Sequence, residues 1–551
     1  MNETPFDYIV VGAGSAGCAV AERLTRDGRT RVLLIEAGGS DKRFWIKVPL
    51  GYGVNFANPR LNWSYHAEPD AGLNGRAIYW PRGRVIGGSS SINAMAYMRG
   101  LPHDFDDWES AGARGWSWQD VRPAYEQLER HFERDTDGTL RQRGDGPLAI
   151  SDLSEQMNPF SERFLTAAEQ NGWARSDNLS AVTDQAVGYY RSTVRRGFRW
   201  SSADAFLAPA RGRGNLRVVS GALVEKVILQ GRRAIGVRFR HKGRVQEVRA
   251  GREVILSAGA INSPKLLQLS GIGPAAQLRA LGIVPLHDLR EVGRGLQDHL
   301  AISYLYRSNV PTLNNILGRM SGRMMAGLRY LATRRGPLAV PINQVGGYIR
   351  SDPALARPDM QIYCNPMSYG TDAAGRTHLD PAPGYLLCAQ PCRPDSRGEV
   401  LLRSSDPEDA PLIRPNSLAT EHDRDAARRA LRLIAQMARA PALAEVTRQR
   451  LTPAPDLTDP DALLEDFRAR ASTVFHPTST CRMGHGPQDS VLDHRLRVHG
   501  IAGLRVVDAS AFPSVTSGNT NAPTIMLASR AAGMIVEDSA NAPDRALAQV
   551  G

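Results

Sequence analysis

Cysteine is scarce in this sequence. The five present (Cys18, Cys364, Cys388, Cys392 and Cys481) are too few and too scattered for a disulfide framework, and an odd number leaves one unpaired in any scheme. That excludes a stapled secreted scaffold and points to a reducing compartment, the cytoplasm. Cys388 and Cys392 are spaced like two ligands on one face, yet no His or Cys cluster nearby completes a zinc set, so no metal is expected. Lysine is rarer relative to its charge class: five of 68 basic residues are Lys, and the rest are Arg spread along all 551 residues. There is no block of about five or six like charges. The net charge of +12 therefore reads as an arginine-rich solvated surface, and no nucleic-acid partner is expected. Missing too is any apolar run of about 18 residues, which excludes a spanning helix and leaves peripheral contact with the inner face of a membrane open. The first residues, MNETPFDYIVVGAGSAG, carry two acids and no Lys or Arg, so they are expected to belong to the mature protein and not to a secretory leader.

What the sequence does contain begins at residue 8. Tyr8-Ile9-Val10-Val11 is a short β-branched run typical of a buried parallel strand; Gly12-Ala13-Gly14-Ser15-Ala16-Gly17 follows, then a helical pattern ending near Gly28. A second apolar run, Val32-Leu33-Leu34-Ile35, ends in Glu36, 19 residues after Gly17. Strand, glycine turn, helix and distal acid form a dinucleotide fingerprint. In it Gly12 makes the tight turn, Gly14 lets backbone approach a pyrophosphate, and Gly17 lets helix and strand pack closely. The helix amino end, at Ser15 and Ala16, offers free N–H groups to phosphate, and Glu36, followed by Ala37, accepts from ribose hydroxyls. The fingerprint leaves open whether the nucleotide is NAD or FAD.

Residues 216–229, 233–250 and 252–260 read as strands separated by Gly turns, a meander inserted in an α/β domain, with a helix at SPKLLQLSG. From 301 to 464 Pro, Met and aromatic residues increase and loops lengthen, which marks a second domain. The chain returns to a strand of the first type at 504–510 and ends in a helix near 523–538.

Residues 83–106 (GRVIGGSSSINAMAYMRGLPHDFD) and 259–273 (GAINSPKLLQLSGIG) match in order and spacing the two signature segments of the glucose-methanol-choline oxidoreductases. The stretches FHPTSTCRMG (475–484) and VVDASAFPSVTSGNTNAPTIM (506–526) resemble that family's catalytic region. The resemblance runs from about residue 6 to about residue 538. Within the family, residues 61–83 resemble the choline dehydrogenase and medium-chain alcohol dehydrogenase branch.

The resemblance implies an α/β fold: a Rossmann-like FAD-binding domain with a discontinuous substrate-binding domain built on an antiparallel sheet with helices. The flavin domain is expected at 1–155, 196–300 and 465–551, and the substrate domain at 156–195 and 301–464. The dinucleotide is then FAD. In Arg84-Val85-Ile86-Gly87-Gly88-Ser89-Ser90-Ser91, consecutive N–H groups and hydroxyls would cradle phosphate and line the flavin edge. Asn93 would lie beside the isoalloxazine. Ile92 stands where some members attach FAD through a His, so the flavin should be non-covalent. Val224 corresponds to the residue meeting the adenine, Asp508 and Ala509 to the pair near the pyrophosphate and ribityl chain, and Asn521 with Thr524 to the start of the last helix, whose dipole would favour reduced flavin.

Alcohol oxidation requires a base for the hydroxyl proton and an acceptor for the hydride, and His is the side chain suited to the first task near neutral pH. His476 corresponds to the family's catalytic His and Asn519 to its partner, which is His or Asn among members. The expected reaction oxidises a primary alcohol to the aldehyde, with a quinone-type acceptor or oxygen taking the electrons; the alternative within the fold is a flavin-containing lyase of the hydroxynitrile lyase kind. His299 is assigned to structure. Ser479 departs from a Gly common in the HPxGT motif. Residues 314–336 hold five Arg, no acid, and apolar residues at helical spacing. Three readings fit: a helix packed on its domain with an Arg-rich outer face, a lid, or a weak peripheral membrane contact.

Overall fold

The computed structural model describes residues 6–135, 139–371 and 377–541. Strand β1 (Phe6–Val11) pairs in parallel with β2 (Val32–Glu36), and β2 with β3 (Leu216–Ser220). On its other side β1 pairs with the carboxyl half of β4 (Arg244–Leu256), which in turn holds β5 (Leu504–Val506). All these pairings are parallel. Runs such as Ile9, Val10, Leu34 and Val254 are completely buried because helices cover the sheet. Helix α1 (Ser15–Leu24) packs directly on the last helix, Asn521–Asn541, from the other end of the chain.

The meander differs from the sequence reading in two respects. The strand expected over 216–229 breaks at left-handed Gly221 (φ 68°) into β3, which joins the parallel sheet, and Ala222–Gln230, which pairs antiparallel with the next strand. Strands Ala222–Gln230 and Arg233–His241 form, but the third turn falls at Lys242-Gly243, and β4 runs on through Gly251 without a break. Both Lys242 (φ 51°) and Gly243 (φ 75°) are left-handed, the two-residue hairpin geometry that matches strand twist. The helix expected at SPKLLQLSG begins earlier, at Gly259, and the strand expected over 504–510 stops at Val506, where Asp508 caps a short turn.

A second layer carries an antiparallel sheet whose order is Thr447–Arg450, Leu300–Ser308, Gly384–Pro391, Met360–Asn365, Val345–Ile349 and Ala186–Tyr189. Alternate residues point to opposite faces. Ile302, Tyr304, Ile362, Leu387 and Ala389 join the core beneath helices Phe160–Gln170 and Glu421–Arg439. Ala301, Ser303, Gln361, Tyr363, Leu386 and Gln390 face the other way and wall a cavity. The fold is thus α/β with a second, antiparallel layer assembled from distant stretches. Tyr65, Leu73 and Trp80 bury in the second core although they fall in the stretch 1–155, and helix Pro460–Arg470 runs across residues 464 and 465.

Candidate active site

A cavity of about 1080 Å³ lies between the two layers. At one end the carboxyl edge of β1 and β2 meets the amino end of α1. Gly12, at φ 100°, sits so close to Ser257 that a Cβ would fall 2.5 Å from its carbonyl oxygen; at Gly17 a Cβ would fall 1.8 Å from the Gly12 oxygen. Gly12, Gly14, Ser15 and Ala16 line the cavity, and Gly17 lies behind them as the packing contact between helix and turn. The Glu36 carboxyl accepts the N–H of Ala13 and of Gly38, each at 2.8 Å. Burial pushes it up to about 7, and each oxygen retains a second lone pair toward the cavity, where Ala37 and Val224 also lie.

Two helix amino ends converge here. The Ser15 hydroxyl donates to Asn521 Oδ1 at 2.8 Å, joining the start of α1 to the start of the last helix. Their summed positive dipoles favour an anion in the cavity between them. Asn521 and Thr524 line it, as do Asp508 and Ala509. The Asp508 carboxylate is fully engaged within the protein: Oδ2 accepts from Gly259 N and Ser263 Oγ, and Oδ1 from Ser510 N and Oγ. It fastens the 259 helix to the 508–510 turn, leaving backbone, not carboxylate, to face a ligand.

The segment 84–91 departs from its expected role as an open cradle. Its N–H groups at Arg84, Ile86, Gly87, Gly88 and Ser90 donate to Leu61, Gly39, Ala13, Val85 and Gly87, and the Arg84 guanidinium stacks 4.5 Å over Trp63. Arg84 does not line the cavity; Gly88 and Ser89 do. The cause is compactness: this segment bridges α1's turn to the rest of the domain, so its amides satisfy local carbonyls. Asn93 also lines the cavity. It is held by Arg199, unremarked in the sequence, whose buried guanidinium donates to Asn93 Oδ1 and O at 2.7 Å each.

His476 and Asn519 face one another in the other half of the cavity. Asn519 Nδ2 lies 3.2 Å from His476 Nε2, and His476 Nδ1 lies 3.0 Å from His299 Nδ1. The chain of contacts fixes the hydrogens. His299 Nε2 is 2.8 Å from the Cys392 carbonyl, which only accepts, so Nε2 carries the hydrogen. His299 Nδ1 is then an acceptor, His476 Nδ1 donates to it, and His476 Nε2 carries no hydrogen, its lone pair accepting from Asn519 Nδ2 at the cavity wall. His299, assigned above to structure, instead orients His476. Only proximity in space reveals this, because 177 residues separate the two.

Burial, and then the neighbouring His299 and the Arg82 cation, hold His476 well below the ordinary histidine range, and burial lowers His299 to about 4. The loop is pinned from both sides. Asp298 accepts the His476 N–H at 2.7 Å, and half-buried Arg82 donates to the Phe475 carbonyl at 2.6 Å. Phe475 and Ser479 both sit at φ 71°, strain that this bracing sustains. Around them Tyr52, Phe56, Ile342, Tyr363, Met367, Tyr369 and Leu379 complete an apolar, aromatic wall. Of these, Tyr52 and Phe56 come from outside 301–464. The cavity's two acids among the described residues, Glu36 and Asp508, are both in the nucleotide half.

A glycine cradle at the edge of a parallel sheet, two helix ends and a His–Asn pair across one cavity define a dinucleotide-dependent oxidoreductase. The residues fit the flavin dinucleotide in particular: the cavity exceeds what a substrate alone needs, and its far end offers a base instead of a second nucleotide cradle. Profiles described as GMC oxidoreductase match residues 6–301 and 394–528. An alcohol dehydrogenase [acceptor] from Pseudomonas putida is 40% identical over 534 residues, 96% of each chain. The oxygen-dependent choline dehydrogenase of Photobacterium profundum is 38% identical over 551 residues, 99% of this chain and 95% of that one. A crystal structure of pyridoxine 4-oxidase from Mesorbium loti superposes with a TM-score of 0.85 at 32% identity, covering 97% and 99%. The chain belongs to the GMC oxidoreductase family and is an FAD-dependent enzyme of that family.

Proposed function

We propose that the protein oxidises a neutral primary alcohol to the aldehyde, with His476 as the base. The observation that carries this reading is the unprotonated Nε2 of His476, fixed by His299 and paired with the Asn519 amide, at the apolar end of the cavity. When bound, FAD supplies the acceptor for the hydride. His476 Nε2 takes the hydroxyl proton, and Asn519 Nδ2 donates to the same oxygen as charge develops on it. The apolar wall excludes water while this happens. Gly12, Gly14, Ser15, Ala16, Glu36 and Ala37, with Gly88, Ser89, Asn93, Val224, Asp508, Ala509, Asn521 and Thr524, hold the non-covalent FAD. The substrate domain, 156–195 and 301–464, supplies the alcohol pocket, and a quinone-type acceptor or oxygen takes the electrons. Five free, buried thiols support a cytoplasmic location.

The absence of a carboxylate from the substrate half, among the described residues, favours a neutral alcohol over choline, whose cation would enter without a counter-charge. Anaerobic mixing of the holoenzyme with a panel of alcohols tests the reading. Neutral alcohols should bleach the flavin, and choline should do so poorly. A flavin that stays oxidised with every alcohol while a cyanohydrin is cleaved would establish the lyase instead.

A further inference from the structure

The helix Met320–Thr333 departs from the simplest sequence expectation, an Arg-rich outer face over an apolar inner one. It is attached to the protein through Ala326 and Tyr330, which are buried. Its longer apolar side chains point outward: Met320 is 78% exposed, Met324 63%, and Leu328 and Leu331 55% each. At about 100° per residue these four fall on one stripe, roughly opposite the buried pair. Helical spacing was therefore legible, but the stripe that packs is the small one.

The surroundings continue the pattern. Tyr330 packs with Val48, and its ring meets Phe198. The strand holding Phe198 contacts the short helix Phe44–Lys47, where Phe44 and Trp45 project into solvent after exposed Lys42 and Arg43. Arg319, Arg323, Arg329, Arg334 and Arg335 make no ion pair with a carboxylate among the described residues. Arg323 and Arg334 donate to the carbonyls of Leu317 and Tyr330, and Arg334 stacks over Phe198. Residues 314–336 contain no acid. An apolar stripe, two projecting aromatic rings and cations that meet no carboxylate among the described residues lie on these neighbouring elements.

That surface adjoins the cavity mouth. Leu317 and Ala326 pack in one cluster with Ile342, Tyr52, Met367 and Leu379, and the last four wall the substrate half. Gly53, Ala57 and Tyr369 line the same cavity and are exposed, so it opens beside the helix.

We propose that this surface docks the enzyme on an anionic lipid bilayer. The apolar stripe with Phe44 and Trp45 enters the interface, and the arginines meet the headgroups. Charge complementarity selects a membrane over a second copy of the chain, because two such faces would bring like charges together. The cavity then opens at the lipid surface, so an apolar alcohol or acceptor dissolved in the bilayer reaches it without crossing bulk water.

Vesicle flotation of the flavin-loaded protein tests this. The protein should float with vesicles containing about 30 mol % phosphatidylglycerol in phosphatidylcholine, poorly with phosphatidylcholine alone, and less as salt rises. The double variant Leu328→Glu/Leu331→Glu should lose flotation at least ~10-fold while keeping its flavin and melting temperature. Arg319→Glu/Arg329→Glu should lose the anionic preference by a similar factor. Three results would overturn the proposal: no flotation of the wild type, flotation that neither variant changes, or a dimer in sedimentation velocity that Leu328→Glu/Leu331→Glu dissociates, which would give the face to a second copy.

Discussion

The two halves of the cavity are built differently. The nucleotide half is mostly backbone: a turn that tolerates no side chain at Gly12 or Gly17, two helix ends joined through Ser15 and Asn521, and two acids, Glu36 and Asp508, both hydrogen-bonded to backbone amides. The substrate half is made of side chains brought in by several distant stretches, with His476 oriented by His299 and its loop braced by Asp298 and Arg82. A backbone site is specified by a few short-range spacings and recognises what all its ligands share. A side-chain site is specified by the tertiary fold and distinguishes one ligand from another.

This contrast predicts that the halves fail separately. His476→Ala should slow anaerobic flavin reduction by ~10²–10⁴ with FAD still bound, since a general base is removed and the cradle is untouched. Flavin loss on gel filtration, or a rate within about threefold of wild type, would break the separation. Gly17→Ala should do the reverse: its Cβ would overlap the Gly12 carbonyl, so the purified protein should lose flavin and about 2–3 kcal/mol of stability in denaturant titration. His299→Leu should lower kcat/KM by ~10–100-fold, because His476 would no longer be held with Nε2 unprotonated, and His299→Asn, which keeps an acceptor, should recover part of it.

The pH profile sharpens the same point. Because burial, His299 and Arg82 lower His476, its Nε2 stays proton-free as pH falls through the ordinary histidine value near about 6.5. The acid limb of kcat/KM should therefore lie below that value; a limb above it would mean that His476 is solvated. The smallest effect is expected at Ser479, which is left-handed at φ 71°: Ser479→Gly should raise the melting free energy by about 0.5–1 kcal/mol with kcat unchanged.

Legibility followed the same division. Gly12, Gly14, Glu36 and the strands flanking them could be read because glycine turns and β-branched runs are local signals. His476 and Asn519 were reached through family resemblance, not through spacing. His299 and Arg199 were missed because their partners lie 177 and 106 residues away in sequence. The sheet wall was legible in part: the run at Gly384–Pro391 reads as strand-like, but which of its faces walls the cavity does not. On Leu300–Ser308 and Gly384–Pro391 one face meets a helix layer and the other the cavity, so both are largely apolar and the alternation that marks a half-buried strand is absent. At Arg84 the expectation failed on hydrogen bonding: a run of amides beside a glycine turn is a cradle only when no carbonyl has already taken them.

The contact between Ser15 and Asn521 joins residues 506 apart in sequence, and β5 pairs with β4 across about half that separation. A ribosome adding about 5–20 residues per second needs roughly 25–100 s to cover the longer distance. Throughout that interval α1 has emerged without the helix that packs on it, and for about its second half β4 has an open edge where β5 will pair. The nascent chain therefore exposes apolar surface that only its last segments cover. A stop codon ahead of Leu504 would leave β4 unpaired on that side and α1 uncovered, so the truncated product should aggregate instead of folding into a smaller enzyme.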